Sequence, residues 1–267
     1  MVDLKENNIR EALLERGWAG VPQALDPSLR HRLCQDLEEA YEICADIRRR
    51  NGVNVNADGS LHHILGMRPS FMEFLERQYL HGEVEAFFSG KYILNSYGGV
   101  VNRQKSRSYL HGIHRDARTF LPGARILINM LVALDDFTLR NGATHLLSGS
   151  HTQADRPADD VFFREAERLV VPTGTIVLFD SNLWHCAGDN IDGSPRRALT
   201  LNFSRPFVKQ QLDYPAYFGN AAVYALSESM RQVLGYNALP PKSLDEWYQP
   251  PEKRPYRRDQ DVLLNDN

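Results

Sequence analysis

The chain has 267 residues, of which 42% are hydrophobic and 24% charged, and a formal net charge of −3. These values suit a globular protein with a sizeable core and give no reason to expect a nucleic-acid or acidic-membrane partner. Three cysteines, Cys34, Cys44 and Cys186, make no disulfide framework, the first six residues carry no apolar signal core, and no apolar run is long enough to span a bilayer. A cytoplasmic protein is expected, with its oligomeric state left open.

A short amphipathic helix is predicted over residues 8–17, with Ile9, Leu13 and Leu14 on one side and Gly17 stopping it. Gly20-Val21-Pro22 reads as a turn or short extended piece. Asp26-Pro27 then opens a long helix, with Asp as N-cap and Pro at the first helical position. Arg48-Arg49-Arg50 place positive charge at its C-terminal end, as the helix dipole favours, and Asn51-Gly52 ends it. Residues 51–68 are polar and read as a loop, with His62-His63 solvated. Helices are predicted from Pro69 to about His81 and from Glu83 to Phe88.

After Gly90 the texture changes to short strands. They are Tyr92–Tyr97, broken at Gly98-Gly99, then Arg125–Leu134, Thr144–Leu147, Leu169–Val171, Thr175–Phe179 and Arg196–Phe203. Turn residues separate them, and residues 152–168 are charged and partly helical. The pattern indicates a mainly β protein with flanking helices and a jelly-roll core, which encloses a cavity between two sheets. Beyond Phe207, Asn220–Leu234 reads as a helix, residues 240–258 as a surface wrap and the last residues as disordered. The expected organisation is one catalytic domain, with a helical region (1–90), the jelly-roll core (91–207) and a helical and extended tail (208–267).

His114 and Asp116 are two residues apart, so a strand would point both to one face. His185 follows a distant strand and is the third candidate. Two imidazoles and one carboxylate on one side of a metal form the facial triad of non-haem Fe(II) oxygenases, with open positions for substrate and O2. Cys186 would point the opposite way from His185, which argues against a thiolate zinc site. Arg196 and Arg197 face opposite sides of a strand, and only one can enter the cavity. A dicarboxylate that chelates iron at one end, such as 2-oxoglutarate, needs a planar cation at the other, which guanidinium provides. Arg197 is read as solvent-exposed.

His114-x-Asp116, Ala133-Leu134-Asp135-Asp136, Asn141-Gly142-Ala143-Thr144, Ser148-Gly149-Ser150-His151, His185-x-x-Gly188-x-Asn190 and Pro195-Arg196-Arg197-Ala198-Leu199 run in an order and spacing that resembles the phytanoyl-CoA dioxygenase family. The resemblance covers roughly residues 8–236. It implies a double-stranded β-helix, Fe(II), 2-oxoglutarate and O2 as cofactors, His114, Asp116 and His185 as iron ligands, and Arg196 rather than Arg197 as the carboxylate clamp. Three positions depart from the family: Ser148, where Pro is common and only a turn is affected, and Leu131 and Ala187, where several members carry cosubstrate-contacting residues. Asn129, on the same face as Leu131, is a candidate for that contact instead. Asn95 and Thr144 are further candidates, with an ordinary structural hydrogen bond as the alternative for each.

The resemblance implies hydroxylation of an unactivated C–H in a small-molecule substrate, with release of succinate and CO2. The retained Asp116 argues against halogenation. Arg103, Lys105 and Arg107, with Arg118 just after the triad, could meet a substrate carboxylate or phosphate, and His111 could approach the substrate. Residues 51–68 and 152–168 are the expected lids. His145 and His151 are read as structural. The alternatives are a non-catalytic ligand-binding jelly roll and an iron-dependent desaturase, cyclase or epimerase on the same scaffold.

Overall fold

The computed structural model describes residues 8–53, 59–105, 108–257 and 260, the side chains at 222 and 223 excepted. Arg107, the middle of the expected 51–68 lid and the expected disorder of residues 261–267 lie outside the described residues. The elements run α1 (Ile9–Glu15), β1 (Trp18–Val21), α2 (Pro27–Arg50), β2 (Ser60–Leu61), α3 (Pro69–Glu76), α4 (His81–Phe88), β3 (Ile93–Asn102) and β4 (Leu127–Ala133). They continue with β5 (His145–Leu146), α5 (Asp159–Glu165), β6 (Glu167–Arg168), β7 (Ile176–Asp180), β8 (His185–Cys186), β9 (Arg196–Ser204), α6 (Tyr214–Phe218), α7 (Glu228–Val233) and α8 (Leu244–Trp247). No described helix is long and apolar enough to cross a membrane.

Six strands form one sheet in the order β1-β7-β4-β9-β3-β2, and three form a second in the order β6-β5-β8. The pairs β1–β7, β2–β3, β5–β6 and β5–β8 are antiparallel. This is the expected jelly roll with flanking helices. The chain forms two compact units. The first holds the described residues of Met1–Tyr79, Tyr97–Ala124 and Asn129–Leu201, and the second those of Leu80–Ser96, Arg125–Ile128 and Asn202–Asn267.

In the first unit, Trp18, Leu131, Phe137, Leu146, Val177, Phe179, Leu183 and Ala198 share one buried cluster, and Ile113, Leu147, Phe162, Trp184 and Cys186 another. Burial of these side chains supplies the main drive to bring the strands together. Asn8 caps α1, accepting from the amides of Arg10 and Glu11. Asp26 caps α2 as predicted, accepting from the Leu29 amide at 2.8 Å. Arg30 of α2 donates to the Leu134 carbonyl at 3.0 Å.

The short extended piece expected at Gly20-Val21 belongs to a strand, Trp18–Val21, paired along its length with β7. Several other local expectations are corrected. The predicted helix from Pro69 to His81 stops at Glu76, because Gln78 and Leu80 take left-handed backbone conformations (φ +49° and +57°). Gly98-Gly99 does not break β3. A Cβ on Gly98 would lie 2.6 Å from the Leu61 carbonyl oxygen, and one on Gly99 2.5 Å from Leu37 Cδ1, so the glycines admit close neighbours instead. The strand predicted at Leu169–Val171 falls earlier, at β6. The Val170 amide turns back onto the Arg168 carbonyl at 2.8 Å, which ends that ladder.

In the second unit the helix predicted over Asn220–Leu234 is two pieces, a 3-10 turn (Asn220–Tyr224) and α7. Ser227 divides them by capping α7 through the Met230 amide at 3.2 Å. Gln210 ties this unit together, donating to the carbonyls of Leu94 at 2.7 Å and Leu234 at 3.2 Å.

Candidate metal and cosubstrate site

The run from Leu110 to Ala117 is held beside Leu183–Ala187, both in the first unit. The amides of His114 and His185 each donate to the other's carbonyl, at 3.0 and 2.9 Å. The Ala187 amide donates to the Leu110 carbonyl at 2.8 Å, and that of Ala117 to the Ser181 carbonyl at 2.9 Å. The His114–Asp116 stretch is therefore not a continuous strand, and His114 meets His185 in a single antiparallel bridge between two extended segments. It still delivers the expected convergence. One donor atom each from His114, Asp116 and His185 lie within 4.8 Å of one another. His114 Nε2 is 3.7 Å from one Asp116 carboxylate oxygen, and His185 Nε2 is 3.8 Å from the other.

The tautomer of each imidazole is set by the backbone. His114 Nδ1–H donates to the Gly112 carbonyl at 2.8 Å, and His185 Nδ1–H to the Leu183 carbonyl at 2.9 Å. Each Nε2 lone pair is thus left to face Asp116, as a metal ligand requires. Burial, and then the adjacent His114, push the pKa of His185 well below the usual imidazole value against the pull of Asp116, so it is neutral at pH 7. Among the described residues no fourth His, Cys, Asp or Glu joins the group. Three ligands on one side fit a catalytic iron better than closed structural zinc. Cys186 points into the core opposite, and burial raises its thiol pKa to about 12.

Arg196 and Arg197 have opposite surroundings. Arg197 is engaged by Asp135 through two side-chain contacts at 2.9 and 2.8 Å, and its amide donates to the same carboxylate at 2.8 Å. That hydrogen bonding raises its pKa. It is an ion-paired scaffold residue, not the solvent-exposed one expected. Arg196 is 2% exposed, with its guanidinium 4.4 Å from the Phe137 ring centroid. Its one side-chain bond goes to the Thr144 hydroxyl at 3.3 Å, and its buried Nε has no partner. Burial lowers its pKa to about 10, so it stays charged at neutral pH. A buried guanidinium with an orphaned donor and no bonded carboxylate fits a ligand that brings its own carboxylate.

The other predicted residues divide. Thr144 is buried against Arg196. Asn129 is buried and donates to the Ser181 hydroxyl at 3.0 Å. Asn95 lies in the second unit, donating to the Lys209 carbonyl at 3.0 Å and the Ser204 hydroxyl at 3.4 Å. His111 Nδ1 accepts from the Ser108 amide at 3.1 Å within a 3-10 turn. Arg103 pairs with Glu38 at 2.6 Å and stacks over Tyr41, while Arg118 is exposed. His62 is exposed, as expected, and is also hydrogen-bonded to the Tyr109 hydroxyl at 2.9 Å and the Ser60 hydroxyl at 3.3 Å. Burial first, and then Arg48, lower its pKa. The antiparallel pairing of Ser60-Leu61 with β3 holds the start of this segment, and no motif in the sequence announces that pairing.

The family model for phytanoyl-CoA dioxygenase matches residues 13–198. The chain belongs to the phytanoyl-CoA dioxygenase family. Fe(II) and 2-oxoglutarate, the cofactors expected above, are those of this oxygenase family. An uncharacterised protein of Mycobacterium tuberculosis (strain ATCC 25618 / H37Rv) is 31% identical over 275 residues, covering 97% of this chain and 100% of its own. An iron/alpha-ketoglutarate-dependent dioxygenase, penM of Penicillium thymicola, is 36% identical over 104 residues, 35% of this chain and 33% of its own. Among solved structures, SnoK, a non-heme alpha ketoglutarate dependent carbocyclase from nogalamycin biosynthesis, superposes with a TM-score of 0.60 at 17% identity. The match covers 83% of this chain and 91% of SnoK and shows a shared fold.

Proposed function

We propose that this protein is an Fe(II)/2-oxoglutarate-dependent oxygenase that hydroxylates an unactivated C–H of a small-molecule substrate. The observation that carries the reading is the convergence of His114, Asp116 and His185 with both Nδ1 atoms already committed to backbone carbonyls. In this reading His114 and His185 offer their Nε2 lone pairs, and Asp116 supplies the carboxylate ligand. Arg196 receives the distal carboxylate of 2-oxoglutarate, through Nε and the nitrogens not taken by Thr144. The bound iron, with 2-oxoglutarate and O2, supplies the oxidation and releases succinate and CO2.

The remaining work falls to the chain. The backbone bridge between His114 and His185 fixes the spacing of the two imidazoles before any metal arrives. Phe137 against Arg196, and Phe179 edge-on to His185 at 5.0 Å, give each end of the site one apolar wall. A second outcome on the same ligands is ring formation, favoured by the fold shared with a carbocyclase. Hydroxylation adds one oxygen to the product, and cyclisation removes two hydrogens.

The test is an anaerobic titration with Fe(II) and then 2-oxoglutarate, followed by the visible charge-transfer band of the chelate. The band is expected in the wild type and absent in Arg196→Ala at the same cosubstrate level. No band with iron fully loaded would overturn the reading and favour a ligand-binding jelly roll. Succinate release across a small-molecule panel, with product mass, then separates hydroxylation, cyclisation and a redox-neutral epimerisation.

A further inference from the structure

Backbone alternation sorts the ligand-bearing segments into two faces. His114, Asp116 and His185 lie on one. Ile113 is packed with Trp184 and Cys186 in the buried cluster on the other, and Arg115 falls in step with Ile113. The Arg115 guanidinium sits 5.0 Å from the Trp184 ring centroid and 5.1 Å from that of Phe120, and donates to the Gln153 carbonyl at 3.4 Å. Two rings and a carbonyl are a demanding environment that a flexible ammonium meets less well than a planar guanidinium.

The partners of Arg115 are themselves anchored. The buried Ser150 hydroxyl accepts from the Trp184 amide at 3.0 Å and donates to the Leu147 carbonyl at 2.6 Å. The Gln153 amide donates to the Ser150 carbonyl at 3.0 Å. The Ser148-Gly149-Ser150-His151 motif, with no chemistry assigned to it so far, thus fixes both the ring and the carbonyl that Arg115 meets.

We infer that Arg115, clamped by Trp184, Phe120 and Gln153, is a positioning residue that holds His114 and Asp116 in register with His185. It stands between two of the proposed ligands in sequence and touches the residue before the third. It tightens the metal site from behind, without facing the substrate. The inference rests on the proposed metal-binding reading of the triad.

The experiment compares wild type, Arg115→Met and Arg115→Lys in calorimetric titrations with Fe(II) under nitrogen, together with thermal melts of each protein without and with Fe(II). Arg115→Met is expected to weaken Fe(II) binding about 10- to 100-fold, the usual effect of losing a group that orients a metal ligand. Its metal-free melting point should stay near that of wild type while the rise on adding Fe(II) shrinks, and Arg115→Lys should recover part of the affinity. A lower metal-free melting point with unchanged Fe(II) affinity in both variants would make the clamp merely structural and overturn the inference. Unchanged values throughout would overturn it equally. Failure of the wild type to bind Fe(II) at all would instead sink the oxygenase reading, and the inference with it.

Discussion

At the triad, two imidazoles are each held by a backbone carbonyl two residues away, at 2.8 and 2.9 Å, and the Asp116 side chain is 37% exposed. At the other end of the site, Arg196 is almost fully buried, stacked on Phe137, with one hydroxyl partner and an orphaned Nε. The first region is prepared by hydrogen bonds that satisfy the half of each ring facing away from the metal. The second is prepared by withholding a partner. A charge buried without a counter-ion is costly, and the cost is offset when a ligand carboxylate arrives. The two regions suit the two different things proposed to bind there, a cation and a dicarboxylate.

The sharpest break between the regions comes from Asp116→Ala. It removes the only proposed anionic ligand, so Fe(II) binding should fall by more than the roughly 10- to 100-fold typical of losing a mere supporting partner, and hydroxylation should vanish. Unchanged turnover in that variant would end the assignment. Arg196→Ala should do the reverse. Fe(II) affinity stays near wild type, while 2-oxoglutarate affinity falls roughly 10- to 100-fold, the loss of one charged hydrogen-bonding partner. Titrating each variant with both ligands separates the two ends, and a coupled loss in Arg196→Ala would contradict the division.

Arg197→Ala is the control for Arg196→Ala. It leaves the Asp135 carboxylate with only the backbone amide at residue 197. A stability loss of about 1–3 kcal/mol is expected, read by urea unfolding, with 2-oxoglutarate affinity unchanged. Residue alternation alone could not say which of the two arginines turns inward. Asp135 decides it, and that pairing spans 62 residues. The triad was more legible, because its residue types and the two-residue spacing of His114 and Asp116 state the chemistry outright, even though the segment is one bridge rather than a strand.

What stayed hidden shares one cause. The role of a short segment is set by partners distant in sequence. Four residues with an internal glycine, Trp18–Val21, become a strand only because β7 is there to pair with them. Arg103 looked available for substrate until Glu38, 65 residues away, took it. Gly98-Gly99 read as a break because Leu37 and the Leu61 carbonyl, which need the space, were not visible from the sequence. Gly99→Ala tests this directly. The added methyl must displace Leu37 and should cost about 1–3 kcal/mol, whereas a true strand break would tolerate it.

The smallest expected effect concerns a histidine that burial keeps neutral without a hydrogen bond to its Nδ1. His145 is half-buried against Phe162 and Phe163, and its buried Nδ1 has no hydrogen-bond partner, unlike the Nδ1 of His114 or His185. Burial first, and then Arg168, lower its pKa to about 4. The unfolded chain takes up that proton near pH 6.5, and the folded chain does so only near 4. Stability is therefore present above the unfolded value and declines as pH falls from about 6.5 towards 4. His145→Gln removes this contribution, while the burial of His185 acts with the same sign in both proteins. Urea unfolding of metal-free protein at pH 7 and pH 5 should show wild type losing more than the variant. The difference should be on the order of 1 kcal/mol, discounted for the partial exposure of the ring. Equal losses in the two proteins would mean that the low basicity of His145 has no energetic consequence.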